Sequence, residues 1–263
     1  MIRENDYTNK GIQIVQTFLD NNNVNNLRNN IEKVRDKITE TNRVDDFKEI
    51  YNLIFNEKLI KVINENFNQE VFVLNHLKTH IDKFSEKNLQ KYSNVGGWHV
   101  DSGSTRNHLF LSKKNNILCK IGIYLQENKK YYGGGIDAIP NFNFFRYGNN
   151  NLLKKLLKKI YYFHKIRFFN NCIENNSGDM IIFDSQTFHR SSMKVKENAK
   201  TKMVIYFNIC NKKLLLDVLK EEKIDFEKDK IIDQKIKNKI FEENGIYFLN
   251  QSITRLVEKN TSD

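Results

Sequence analysis

Two residues of metal-binding type stand one position apart in GGWHVDSGS, residues 96 to 104: His99 and Asp101. On an extended chain that spacing sends both side chains to one face, so an imidazole nitrogen and a carboxylate oxygen can meet a single ion. A pair is weak evidence in a chain with six histidines. The stretch GDMIIFDSQTFHRSSMKVKENAKTKMVIYFNI, residues 178 to 209, reads as strand, polar turn, His189, basic loop and strand, and supplies a third member. Two histidines and one carboxylate grip an octahedral ion on one side and leave three positions open, the arrangement that oxygen chemistry at non-haem iron(II) requires. Two open positions accept a keto acid and the third accepts dioxygen. A keto acid with a second, distant carboxylate also needs a cation. Lys200 and Lys202 follow His189 by 11 and 13 residues, and period two puts both on one face of the strand.

These residues need a rigid frame. Residues 1–70 read as an N-terminal helical part, with apolar residues at three- and four-residue spacing over 11 to 66, interrupted by the asparagine cluster at 21 to 26. From residue 71 the period changes. VFVLNHLKTHI, ILCKIGIYL, GDMIIFD and KMVIYFNI have the β-branched and aromatic density of strands, separated by turns such as SNVGG and YYGGG. The tail after Cys210 returns to charged, helical sequence. The expected architecture is a mainly β core over 71–210 with helical flanks at 1–70 and 211–263, an antiparallel barrel or jelly roll. One segment interrupts the core: NNNLLKKLLKKIYYFHKIRFF, residues 149 to 169, a basic amphipathic helix. Its leucine face is expected on the core, with a membrane surface or an anionic partner as the alternative.

The motif His99-Val-Asp101, with His189 and a basic residue on the following strand, resembles the iron(II)- and 2-oxoglutarate-dependent dioxygenases. Within them it resembles the phytanoyl-CoA dioxygenase-like family over roughly residues 70 to 210. Trp98 before the HxD is similar to that family's WHxD, and YYGGGIDAIPNFN, residues 131 to 143, to its glycine-then-proline segment; Pro140 is the only proline. His189-Arg190-Ser191 resembles its His-x-Ser. The resemblance implies a double-stranded β-helix, cupin-like, in which His99, Asp101 and His189 bind Fe(II) and carry catalysis. It also implies that Ser191 with a basic partner holds the far carboxylate of 2-oxoglutarate, and that O2 is consumed as 2-oxoglutarate is decarboxylated to succinate. The family usually has arginine as that partner. Here only lysines stand on the strand, as in prolyl hydroxylase-like relatives; spacing from the histidine fits Lys200 and strand register fits Lys202. Retention of the Asp101 carboxylate points to hydroxylation, because halogenating relatives replace it with a small residue.

Composition bounds the rest. The chain has 263 residues, 39% of them hydrophobic, without a run that could span a membrane and without a signal-peptide core at its start, so a single cytoplasmic domain is expected. Cys119, Cys172 and Cys210 form no CxxC pair and read as buried thiols. A net charge of +11 favours anionic small molecules or surfaces, whereas no zinc finger, RNA-binding strand motif or P-loop points to nucleic acid. His76, His80, His108 and His164 read as structural or surface residues, Arg106 as a solvated loop residue and Trp98 as packing. Three functions remain open: hydroxylation of a small polar or anionic metabolite, hydroxylation of a peptide or amino acid, and a jelly-roll binding protein without turnover.

Overall fold

A computed structural model of the chain describes residues 7–34, 48–67, 69–74, 78–82, 97–101, 110, 111, 113, 115–129, 135–140, 152–169, 171–192, 202–226, 228–233, 236 and 238–261. Its centre is a long strand, β8 (Lys202–Asn211), set by the alternating β-branched and aromatic run KMVIYFNICN. Along one edge β8 pairs antiparallel with β4 (Leu118–Tyr124), from Leu118 opposite Cys210 to Tyr124 opposite Val204. Along its other edge β2 (Val71–Val73) and β3 (Lys78–Asp82) lie end to end. Beyond β4 come β6 (Met180–Asp184) and β1 (Ile12–Val15), and beyond β2 comes β9 (Ile246–Phe248), paired in parallel. The result is a mixed seven-stranded sheet. A separate two-stranded sheet joins β5 (Ile136–Ile139) to β7 (Phe188–Ser191).

Period two sorts the side chains of the main sheet. Cys119, Ile121, Ile123, Met180, Ile182, Ile205 and Phe207 point to one face and pack on two helices, α2 (Asn21–Val34) and α4 (Glu57–Asn66), through Leu27, Ile31, Leu59 and Ile63. Ile12, Tyr124, Ile181, Phe183 and Val204 point to the other face and share a cluster with Ile136 and Ala138 of the small sheet. With both faces covered, the strands read as nearly continuous apolar runs. The even positions of β4 and β8 therefore face the small sheet, which decides what lines the site. The remaining helices are α1 (Tyr7–Lys10), α3 (Lys48–Ile54), α5 (Leu152–Phe168), α6 (Lys212–Glu221), α7 (Lys239–Glu243) and α8 (Gln251–Thr261). Of these, α6 and α8 bury Leu214, Val218, Ile253 and Val257 against Phe72 and Leu118.

Three expectations change. The N-terminal 70 residues are not all helix, because IQIV alternates and is drawn into the sheet as β1. The asparagine cluster does not break a helix but starts one: the Asp20 carboxylate accepts the N–H of Asn23 at 2.8 Å, a helix cap that lets α2 begin at Asn21. The C-terminal part likewise contributes a strand, β9. VFVLNHLKTHI divides into β2 and β3, with residues 75–77 outside the described set, as is YYGG of the 131–135 turn.

The fourth difference is the largest. Helix α5 turns its leucines outward: Leu152, Leu153, Leu156 and Ile160 are exposed while Lys154 is buried. Its two tyrosines account for this. Tyr162 stacks on Phe188 with ring centroids 4.6 Å apart, and the Tyr161 hydroxyl donates to the Pro140 carbonyl at 3.1 Å, so these aromatics fix the inward face.

Candidate metal centre

The segment holding Trp98, His99 and Asp101 is laid beside β7 by backbone pairing. The N–H of His99 donates to the His189 carbonyl and the N–H of His189 to the His99 carbonyl, both at 2.9 Å, while the Asp101 N–H donates to the Ser185 carbonyl at 3.1 Å. On its other edge His189 faces Ala138 of β5. Two segments distant in sequence, one with His99 and Asp101 and one with His189, are thus placed by main-chain hydrogen bonds, which depend little on side-chain identity.

The side chains converge. Asp101 Oδ1 lies 3.8 Å from His99 Nε2 and 3.7 Å from His189 Nε2, and all three ligand atoms fall within 4.8 Å of one another. A divalent ion at about 2.1 Å from imidazole and carboxylate donors can bridge pairs up to about 4.2 Å apart, so both carboxylate separations are within its reach. Each ring also has its other nitrogen committed: His99 Nδ1 donates to the Gly97 carbonyl and His189 Nδ1 to the Thr187 carbonyl, both at 2.8 Å. Since a carbonyl only accepts, Nδ1 carries a proton in each ring, and in the neutral tautomer this leaves the Nε2 lone pair free toward Asp101, as metal ligation requires. The donor set fits a divalent metal.

Electrostatics agree. Burial pushes the His189 imidazole down to about 4, against the opposing pull of the Asp101 charge, so at neutral pH the ring is neutral. Burial of Asp101 opposes its ionisation, but the Lys120 ammonium, joined by the histidines when they are protonated, outweighs that and holds the carboxyl below its ordinary value. Lys120 Nζ lies 2.7 Å from Asp101 Oδ2, which leaves Oδ1 toward the histidines.

A cavity of about 290 Å³ opens on the three residues and is lined also by Lys120, Phe183, Ser191, Lys202 and Tyr206. Lys202 is 3% exposed, and its ammonium donates to Ser191 Oγ at 3.1 Å. Lys200 lies outside the described residues. Arg190, between His189 and Ser191, turns to Asp137 at 2.9 Å and lies 4.9 Å over the Trp98 ring, which stacks on Phe188. Trp98 therefore packs beside the site in a half-exposed aromatic stack. A larger cavity of about 680 Å³, around Asn128, Cys172 and Asn175, holds no converging cluster of three metal-ligand side chains among the described residues, so size does not mark the candidate metal centre. His164 is exposed on α5, His80 lies in β3, and His76, Arg106 and His108 lie outside the described residues.

The fold is shared with HygX. The chain superposes on the crystal structure of HygX from Streptomyces hygroscopicus with iron bound at a TM-score of 0.55 and 13% identity, covering 79% of this chain and 85% of that one. The same protein with nickel and 2-oxoglutarate bound gives 0.53 and 11%, over 78% and 85%. AviO1 from Streptomyces viridochromogenes Tue57 gives 0.52 and 12%, over 78% and 92%. SnoN, a non-heme alpha ketoglutarate dependent epimerase from nogalamycin biosynthesis, gives 0.50 and 11%, over 77% and 78%. At such identities the likeness is one of fold. No protein-family model matches the sequence, and no curated protein is similar to it in sequence.

Lys120 and Tyr206 are site residues that sequence reasoning passed over. Lys120 is the only charged residue in ILCKIGIYL, and a lysine inside an apolar strand covered on both faces was a signal that it meets a carboxylate or lines a cavity.

Proposed function

We propose that this protein is an iron(II)- and 2-oxoglutarate-dependent dioxygenase that hydroxylates a small polar or anionic metabolite. The whole chain, 1–263, would form a single domain on a double-stranded β-helix core, and the WHVD and HRS motifs favour the phytanoyl-CoA dioxygenase-like branch. One observation carries the reading: two histidine Nε2 atoms and one carboxylate oxygen converge on a cavity, with both Nδ1 protons tied to backbone carbonyls. The fold shared with HygX, crystallised with iron and separately with nickel and 2-oxoglutarate, supports it.

In this reading His99, Asp101 and His189 hold the metal, and iron(II), when bound, supplies open coordination positions and electrons for reduction of dioxygen. Lys202 and Ser191 form the anchor for the distal carboxylate of 2-oxoglutarate, the lysine as a point charge and the serine as a hydrogen-bond donor. Lys120 fixes the outer oxygen of Asp101 and so orients the ligand oxygen. Phe183 and Ile136 line the cavity with apolar surface, which keeps water from the bound co-substrate. The His99 side chain is 56% exposed, so a peptide side chain could also reach the site, and peptidyl hydroxylation is the second reading.

The test is succinate release from 2-oxoglutarate by protein loaded anaerobically with iron(II) and then exposed to air, with a library of metabolites and short peptides. The reading predicts succinate formation stimulated by particular compounds, with the compound gaining oxygen, and loss of both signals in His99→Ala and Asp101→Ala. Turnover unaffected by both substitutions contradicts the assignment.

A further inference from the structure

Among the described residues, most of the exposed large apolar side chains lie on the outward face of α5 or just past its end. Leu152, Leu153, Leu156, Leu157, Ile160 and Phe163 are exposed, Leu152 by 85% and Phe163 by 62%, and Phe168 in the last turn and Phe169 just beyond it are exposed as well. At 3.6 residues per turn these positions share one side of a helix of 17 residues. Large apolar side chains gathered in this way on one element mark a surface that meets something. The charges indicate what. Residues 149 to 169 contain five lysines and one arginine and no acidic residue. Lys154 and Lys158 turn toward the body of the protein, where burial lowers both ammonium pKa values and Lys158 feels the Asp184 carboxylate. Lys155, Lys159 and Arg167 remain exposed beside the apolar strip.

We propose that α5 docks this protein on an anionic lipid surface. The leucine and phenylalanine side chains enter the boundary between headgroups and acyl chains, and Lys155, Lys159 and Arg167 pair with lipid phosphates and carboxylates. An amphipathic helix lying in the interface has this composition: aliphatic and aromatic residues on one face and basic residues at its margin. A second copy of the chain is a poor occupant, because a two-fold contact through the same strip sets the lysines of one copy against those of the other. Among the described residues no helix is long and apolar enough to cross a membrane, so the contact is peripheral. The docked helix is also joined to the metal centre: Tyr162 of α5 stacks on Phe188, and Phe188 stacks on Trp98, the residue before His99. The inference stands on the surface of α5 and does not depend on the catalytic reading.

The experiment is co-sedimentation of the full-length protein with vesicles of phosphatidylcholine alone and of two parts phosphatidylcholine to one of phosphatidylserine, with size-exclusion chromatography in parallel. Wild type is expected to sediment with the anionic vesicles, to stay in solution with the neutral ones, and to be released by high salt. Leu156→Glu with Ile160→Glu should abolish binding, and Lys155→Gln with Lys159→Gln should lower the partition coefficient roughly 25-fold, at about fivefold per basic residue. The lysine pair keeps the test decisive if the glutamates perturb the helix. Failure of wild type to bind anionic vesicles overturns the proposal, as does equal binding to neutral ones. So does a dimer in solution that L156E/I160E converts to monomer without any vesicle binding, which would assign the strip to a second copy.

Discussion

At the scale of single residues, the account separates metal binding from co-substrate binding. A buried ammonium that meets a carboxylate makes a charge-assisted contact with a net value of about 1.5 to 3 kcal/mol. Lys202→Met is therefore expected to weaken 2-oxoglutarate binding roughly 10- to 100-fold while leaving metal affinity within about twofold, read by calorimetric titration of each. The buried thiols make a second prediction. Burial raises Cys210 from 9.0 to about 12, and burial followed by the Asp137 charge raises Cys172 to about 11. Below pH 9 both are protonated whether the chain is folded or not and contribute nothing to pH dependence; above it only the unfolded chain releases the protons, so stability falls as pH rises. Denaturant midpoints should show a loss of about 1 kcal/mol per thiol between pH 8 and pH 10, and Cys210→Ala should flatten that slope. The convergence of His99, Asp101 and His189 was legible because spacing and residue type point to it, whereas spacing and strand register left Lys200 and Lys202 as alternatives. Lys120 could not be paired with Asp101 that way, since the contact depends on strand register across the cavity.

At the scale of elements, the site depends on how β6 and β7 are entered and left. Gly178 leads into β6 with φ of +87°, its N–H donates to the Tyr124 carbonyl and its carbonyl accepts the Leu19 N–H, and an added Cβ would stand 2.2 Å from the Leu19 oxygen. Gly178→Ala is expected to destabilise the fold by about 1 to 3 kcal/mol, seen as a lower denaturant midpoint with an unchanged slope. The strong strands β4, β6 and β8 were legible because both faces are covered and the apolar runs are nearly continuous. The short strands β1 and β9 were not: four and three residues carry too little period to outweigh their helical neighbours, and only pairing with β6 and β2 makes them strands. In α5 the periodicity was legible and its direction was not. A wheel with leucines on one side and lysines on the other gives no sign of which side the tyrosines anchor.

At the scale of the whole molecule, one sheet gathers strands from both ends of the chain, β1 near the start and β9 near the end, around β8. The region after residue 210 covers Phe72, Leu74 and Leu118 with α6 and α8. A chain ended at residue 210 would expose that apolar cluster and the edge of β2, and is expected to lose its cooperative thermal transition and to aggregate; a truncated chain that melts cooperatively at the wild-type temperature would show that the core stands without its C-terminal cover. The cavity that this frame surrounds is where 2-oxoglutarate would bind, and anaerobic equilibrium binding with and without iron(II) is the measurement to make. Binding is expected in the presence of iron(II), at least tenfold weaker without it, and lost in His99→Ala and Asp101→Ala. No binding with iron(II) present, or binding indifferent to metal and to both substitutions, would contradict the proposed function.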